Sequence, residues 1–208
     1  MKNTYRVFIS STYEDLKDER LAAMKAIVKA KCLPLGMELF EERSLSQWQI
    51  IEQNISESDF YILIVAGRYG SIDNETGISY TEREFNYAIK KKIPTLIYLK
   101  ENIEDLSMDK IDNCEKIERF RKKLLNHQYV GKYNNSSDLE VKIQQSLIAE
   151  IKDRDDARTQ EEYEYLADLI ASLQNQINNL AEASIRNSLA FVDVSEKIRG
   201  LKKNNNLQ

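Results

Sequence analysis

The run Asp59-Phe60-Tyr61-Ile62-Leu63-Ile64-Val65-Ala66-Gly67 constrains the fold more than any other stretch of the chain. It is apolar on both alternating sets of positions, so a strand built from it must be covered on both faces. That is the situation of a central strand in a parallel sheet. Gly67-Arg68-Tyr69-Gly70 follows with the backbone freedom a sharp turn needs.

Around this strand, four more are predicted at Arg6–Ile9, Met37–Phe40, Ile93–Leu99 and Tyr129–Tyr133, the last a weak edge strand. Pro94 sits at a strand start, where proline is tolerated. Leu33-Pro34-Leu35-Gly36 reads as a break before the second strand. Helical periodicity covers Tyr13–Lys31, Ser46–Ser56, Ser79–Lys91 and Ile111–Leu125, and Ser137 or Asp138 caps a further helix running through Leu139, Ile143, Leu147 and Ile151. Strands and helices alternate five times across residues 5–152. This predicts an α/β domain: a five-stranded parallel sheet in the flavodoxin-like order 2-1-3-4-5, with helices on both faces. The first and third strands are then neighbours where the winding reverses, so the turns after Ile9 and Ala66 line one crevice.

The first of those turns is rich in hydroxyls, Ser10-Ser11-Thr12. Ser11 with Glu14 fits the capping box, in which a hydroxyl and a glutamate satisfy the free N–H groups of a helix start. Such a helix start also binds phosphate. The third helix offers two overlapping caps, Ser79 with Glu82 and Thr81 with Glu84. If Ser79 is the cap, Glu84 is left free. Arg68 at the second turn suits either an anionic ligand or an ion pair with a loop acid. Tyr69 suits stacking on a base or packing on its own loop. Trp48 reads as core or crevice wall, and His127 as a surface residue near the edge strand.

Composition removes several function classes. The net charge is −4, with both signs mixed along the 208 residues, which argues against a dedicated nucleic-acid surface. Cys32 and Cys114 form neither a disulfide framework nor a metal motif, so a reducing compartment is expected. His127 is the single histidine, which leaves a histidine-based zinc site almost no material and predicts no metal. No G-x-G-x-x-G follows the first strand, so a Rossmann dehydrogenase signature is absent. No apolar run reaches the roughly 18 residues of a membrane span, and no signal-peptide core opens the chain. A cytoplasmic protein without membrane or nucleic-acid partners is the expectation.

Beyond Lys152 the pattern changes, which sets expected domains at 1–152 and 153–208. Asp153-Arg154-Asp155-Asp156 reads as a charged hinge. Leu166, Ile170, Leu173, Ile177 and Leu180 then step by four and three, as coiled-coil a and d positions do. Ser184 and Asn187 interrupt that register, and Ile185, Leu189, Val192 and Ile198 suggest a shifted stripe or a second helix. A frayed end is expected from Gly200. The stripe predicts a C-terminal helical, coiled-coil extension for oligomerisation or partner binding, the alternative being that it folds back on its own domain; a homo-oligomer formed through it is the expectation.

The segment from Val7 to Arg20, with Phe8-Ile9-Ser10-Ser11-Thr12 at its centre, resembles the start of a bacterial domain group of formally unknown function. That group is related to Toll/interleukin-1 receptor (TIR) domains and to nucleoside 2-deoxyribosyltransferases. Three further blocks resemble it in order: Ser58–Ile64, Gly67–Ser71 and Ser79–Ala88. The resemblance implies a TIR-like fold and three functional readings. The first is cleavage of the N-glycosidic bond of NAD or a related nucleotide, armed by self-assembly in antiphage-type defence. The second is a non-catalytic assembly module, and the third a deoxyribosyltransferase-like enzyme. The enzymes share a glutamate on the helix after the third strand, followed four residues later by a small residue. Glu84 with Ala88 matches, so the resemblance implies Glu84 as the catalytic group, with Glu82 the alternative. Ser10, Ser11, Thr12, Arg68, Tyr69 and Ser79 are the implied nucleotide-binding residues. NAD enters as substrate, and no cofactor is implied.

Overall fold

A computed structural model describes residues 4–36, 47–103, 106–112 and 114–205. The chain divides into two units, Met1–Lys152 and Asp153–Gln208. In the first, strands β1 (Arg6–Ser10), β2 (Leu33–Leu35), β3 (Phe60–Val65), β4 (Thr95–Lys100) and β5 (Val130–Tyr133) form one parallel sheet in the order β2-β1-β3-β4-β5. This is the flavodoxin-like arrangement expected from the alternation of elements.

Helices α1 (Lys17–Lys29) and the first turns of α5 (Ser136–Asn205) cover one face; α2 (Gln47–Glu57), α3 (Tyr80–Lys90) and α4 (Cys114–Leu124) cover the other. The period of two along β3 sorts its side chains cleanly. Phe60, Ile62 and Ile64 pack with Ala23, Ile27, Leu139 and Ile143, whereas Tyr61, Leu63 and Val65 pack with Ile51, Ile55, Phe85 and Phe120. Every residue of β3 is buried, which is why that run carries no polar side chain apart from the Tyr61 hydroxyl.

Several expected boundaries move. The second strand is Leu33–Leu35, the segment read as a break, and it pairs with β1 from Arg6 to Phe8. Pro34 is tolerated there because β2 is the edge strand among the described residues, paired with β1. The stretch expected as that strand, Met37–Phe40, lies outside the described residues. Helix α1 starts at Lys17 rather than Tyr13, and no side chain caps it. The cap of α5 is neither Ser137 nor Asp138: Asn135 Oδ1 accepts from Asp138 N (2.9 Å), while Asp138 Oδ2 accepts from Asn134 N (2.9 Å). Residues 153–156, expected as a hinge, are helical, and the helix passes Gly200 to end at Asn205.

One glycine allows the loops at the carboxyl end of the sheet to close. A Cβ on Gly67 would stand 2.7 Å from the carbonyl oxygen of Lys110, and Gly67 O accepts from Asp112 N. The obstacle is backbone, which cannot swing aside as a side chain can. Gly67→Ala is therefore expected to destabilise the protein by about 1–3 kcal/mol, as overpacking typically does, read as a lower denaturation midpoint at unchanged slope.

Candidate functional site

Strand β1 ends at Ser10, whose buried hydroxyl donates to Glu84 Oε2 at 2.5 Å. The chain then runs through a non-helical turn, residues 11–16, before α1 begins. The capping box expected of Ser11 and Glu14 does not form, because both side chains are engaged elsewhere. Ser11 Oγ donates to Thr12 O (2.7 Å) and accepts from Arg20 Nη1 (2.9 Å); the exposed Glu14 pairs with Lys17. Arg20 is 3% exposed and reaches back from α1 to hold the turn.

The opposite wall is the start of α3. Ser79 is its N-cap and accepts from Glu82 N (3.2 Å). Glu82 is not the reciprocal partner. Its carboxylate accepts from the Tyr69 hydroxyl (2.6 Å) and the Lys123 ammonium (2.9 Å), so its charge is committed to structure. Glu84, two residues further on and so on the opposite side of the helix, is 4% exposed and turned to β1. Ala88 lies one turn below it, buried in the core. The helix start is fixed from outside by Arg83, which bonds Asp73 Oδ2 (2.6 Å) and lies 3.8 Å over the Trp48 ring. Trp48 is thus a half-buried residue of α2 packed against the core, and it does not line the cleft.

Between the two walls lies a cleft of about 380 Å³, lined among others by Ser11, Thr12, Asp15, Arg68, Gly70 and Glu84. That is within the range of small-molecule sites. Arg68 Nε is already paired with Asp112 (3.2 Å), whose carboxylate also accepts from Tyr69 N (2.5 Å) and Gly70 N (3.4 Å). Gly70 adopts φ 88°, and a Cβ there would stand 2.8 Å from the Thr12 methyl, so the two turns meet at a position suited to glycine.

Of the residues expected at the site, Glu84, Ser11, Thr12 and Arg68 line the cleft, and Ser10 stands behind it on Glu84. Tyr69 and Ser79 do not line it. The Tyr69 ring packs edge-on against Phe120 in the core, 6.1 Å between centroids, and Ser79 is fully buried as a cap. Four residues escaped the sequence reading. Arg20 and Asp112 are anchors whose partners are distant in the chain. The Tyr61 hydroxyl is enclosed without a hydrogen-bond partner at normal geometry, and burial, followed by the Glu84 charge, pushes its pKa up against the opposing influence of Ser10. Asp15 is 7% exposed, neither of its oxygens has a partner at normal geometry, and burial raises its pKa against the opposing influence of Thr12. His127 packs edge-on against Phe85, 4.9 Å between centroids, rather than lying free on the surface. Among the described residues no group of three or more His, Cys, Asp or Glu is placed to hold a metal, and no helix is long and apolar enough to cross a membrane.

A family model described as a domain of unknown function, DUF4062, matches residues 6–148. The chain belongs to that family. No curated protein matches the DUF4062 chain. Solved structures similar to it include a CMP N-glycosidase, BcmB, from Clostridium botulinum (15% identity, TM-score 0.43, covering 68% of this chain and 98% of that one). The TIR domains of the activated Roq1 resistosome are also similar (13%, 0.40, 70% and 82%). So is a diflavin flavoprotein A3 from Nostoc sp. (9%, 0.44, 74% and 99%). These likenesses are too distant to bear on substrate or reaction.

Electrostatics single out Glu84. Burial pushes its pKa up to about 7, against the hydrogen bond from Ser10 and the charge of Arg20. The folded pKa therefore lies above the unfolded value of 4.5, so the native state holds the proton more tightly. The sign follows: stability contributed by protonated Glu84 is full below the unfolded pKa and is lost as pH rises through about 7. Relative to Glu84→Gln, the wild-type protein is expected to lose up to about 3 kcal/mol between roughly pH 4 and pH 8. Urea titrations of both proteins across that range check it.

Proposed function

We propose that the DUF4062 domain cleaves the N-glycosidic bond of NAD or a related nucleotide, with Glu84 as the reacting carboxyl group. One observation carries this reading. A carboxyl group enclosed at the wall of a cleft, titrating near neutral pH and aimed by a serine hydroxyl, is costly as structure and well suited to chemistry.

Breaking a bond between a ribosyl C1′ and nitrogen sends the electron pair to the leaving base and leaves oxocarbenium character on the sugar. Ionised Glu84 stabilises that charge. The nicotinamide ring of NAD is cationic before cleavage and departs neutral, so no acid is required to protonate it. Water then adds to C1′, Glu84 accepts its proton, and loss of that proton to solvent restores the carboxylate and closes the cycle. Ser10 holds one carboxyl oxygen at a fixed position, and Arg20 favours the ionised form. Thr12 and the exposed backbone of the first turn are suited to the sugar hydroxyls. Self-assembly through the C-terminal helix arms the enzyme in the cytoplasm, as a defence effector of the antiphage type.

Arg68 favours a second reading. Its ion pair with Asp112 uses the charge that a diphosphate would need. That suits a smaller, uncharged substrate, as in a deoxyribosyltransferase-like enzyme with Glu84 as nucleophile.

Incubating the purified full chain with NAD, and separately with deoxynucleosides, and following base release by chromatography tests both. Turnover is expected to fall at least about 100-fold in Glu84→Gln, and kcat/KM to rise with pH around a midpoint near 7 as Glu84 ionises. If neither the native protein nor a forced oligomer releases base from any of these substrates, the enzymatic reading fails, and a non-catalytic assembly module takes its place.

A further inference from the structure

The continuity of α5 changes how its second half reads. Sequence periodicity alone suggested a register lost at Ser184. On one unbroken helix to Asn205 the same register runs on. With Ile170 and Ile177 at a and Leu166, Leu173 and Leu180 at d, the later a positions are Ser184, Phe191 and Ile198. The later d positions are Asn187, Val194 and Leu201, and Tyr163 occupies the a position before Leu166. Ten of the twelve core positions from Tyr163 to Leu201 are apolar or aromatic, and the two polar ones are adjacent layers. The stripe exceeds the three to four heptads a coiled coil requires. Where side chains are described it is uncovered: Tyr163, Leu166, Ile170 and Leu173 are 66%, 45%, 56% and 49% exposed.

We infer that residues 163–201 pair with a second copy of this chain as a parallel, in-register, two-stranded coiled coil. Three features select that occupant. Ile at a with Leu at d is the combination that favours parallel dimers. All six charged residues between 163 and 196 (Glu164, Asp168, Glu182, Arg186, Asp193 and Glu196) fall at the outer b, c and f positions. The e and g positions that flank the seam over that span are Ala, Leu, Gln and Ser, so identical helices meet without like-charge repulsion. A partner of different sequence would normally be specified by e and g charges, and those are missing. The rival stripe through Ile185, Leu189 and Val192 is short. It meets Glu182 one turn before and Glu196 one turn after. Ser184 and Asn187 disfavour slipped registers, which would set them against apolar layers. An antiparallel pairing centred on those same two residues is the competitor, and it sets Leu173 opposite Ile198.

This inference deepens the assembly part of the proposed function without depending on its chemistry, since mass and crosslinking are read without substrate. Light scattering of the full chain is expected to give twice the 24.2 kDa monomer mass. In a Cys114→Ala background, Leu173→Cys should form a disulfide-linked dimer under mild oxidation, because only parallel in-register pairing sets residue 173 against itself. Ser172→Cys, at an outer position, should not. Ile170→Asp should leave a monomer with its α/β domain folded. A monomeric wild type, a trimer or tetramer, or a dimeric Ile170→Asp overturns the proposal. So does crosslinking of a Leu173→Cys protein to an Ile198→Cys protein but not of Leu173→Cys to itself.

Discussion

Strand β3 has no face turned to water, and the α/β domain is arranged to meet that condition. Two helical layers must cover it, so the chain has to wind both ways from the centre of the sheet. Winding both ways creates a point where the crossovers diverge, between β1 and β3, and the loops there part to leave a cleft. The same apolar run that demands burial therefore also dictates where a site can form. The extended side of the cleft is the turn after Ser10, and its helical side is the start of α3. The turn after β3, from Gly67 to Gly70, closes it.

Glu84 is the main polar cost of this arrangement. It sits on the helix face that packs toward β1, where an apolar residue would be more stable. Ser10 and Arg20 offset part of its desolvation but leave it titrating near neutral pH. Neighbouring groups share the same character. Asp15 and the Tyr61 hydroxyl are enclosed without a hydrogen bond of normal geometry, an uncommon condition in a settled interior. Around them the framework is rigidly held. Asp112 gathers Arg68 and two backbone N–H groups, Glu82 ties Tyr69 to Lys123, and Arg83 bridges Asp73 and Trp48. Unsatisfied polar groups inside a well-braced shell are what a preorganised site requires.

The two halves of the chain were legible to different degrees. In the α/β domain, strand existence and order followed from burial periodicity, because a strand with two buried faces has few alternatives. Boundaries were less legible. Leu33-Pro34-Leu35 looked like the break that ends the first helix, because proline interrupts a helix, yet an edge strand tolerates it. The capping box at Ser11 failed because Arg20, nine residues on, competes for the same hydroxyl. In the second unit the heptad was visible up to Leu180, and only helix continuity through Ser184 and Asn187 showed that the later apolar residues share its phase.

By itself the sequence determined the layered architecture and the crevice between the first and third strands; Glu84 entered through the family resemblance, and the structure chose between the two overlapping caps of α3. The architecture and the crevice depend on local pattern, the alternation of apolar positions and of strands with helices. Tertiary structure decided which polar groups are free to act. Tyr69 turned inward to Glu82, Arg68 was claimed by Asp112, and Asp15 was enclosed with no hydrogen bond of normal geometry. Each outcome depends on groups far apart in sequence but adjacent at the carboxyl end of the sheet, and hydrogen-bond partnership across such distances leaves no periodic trace in the chain.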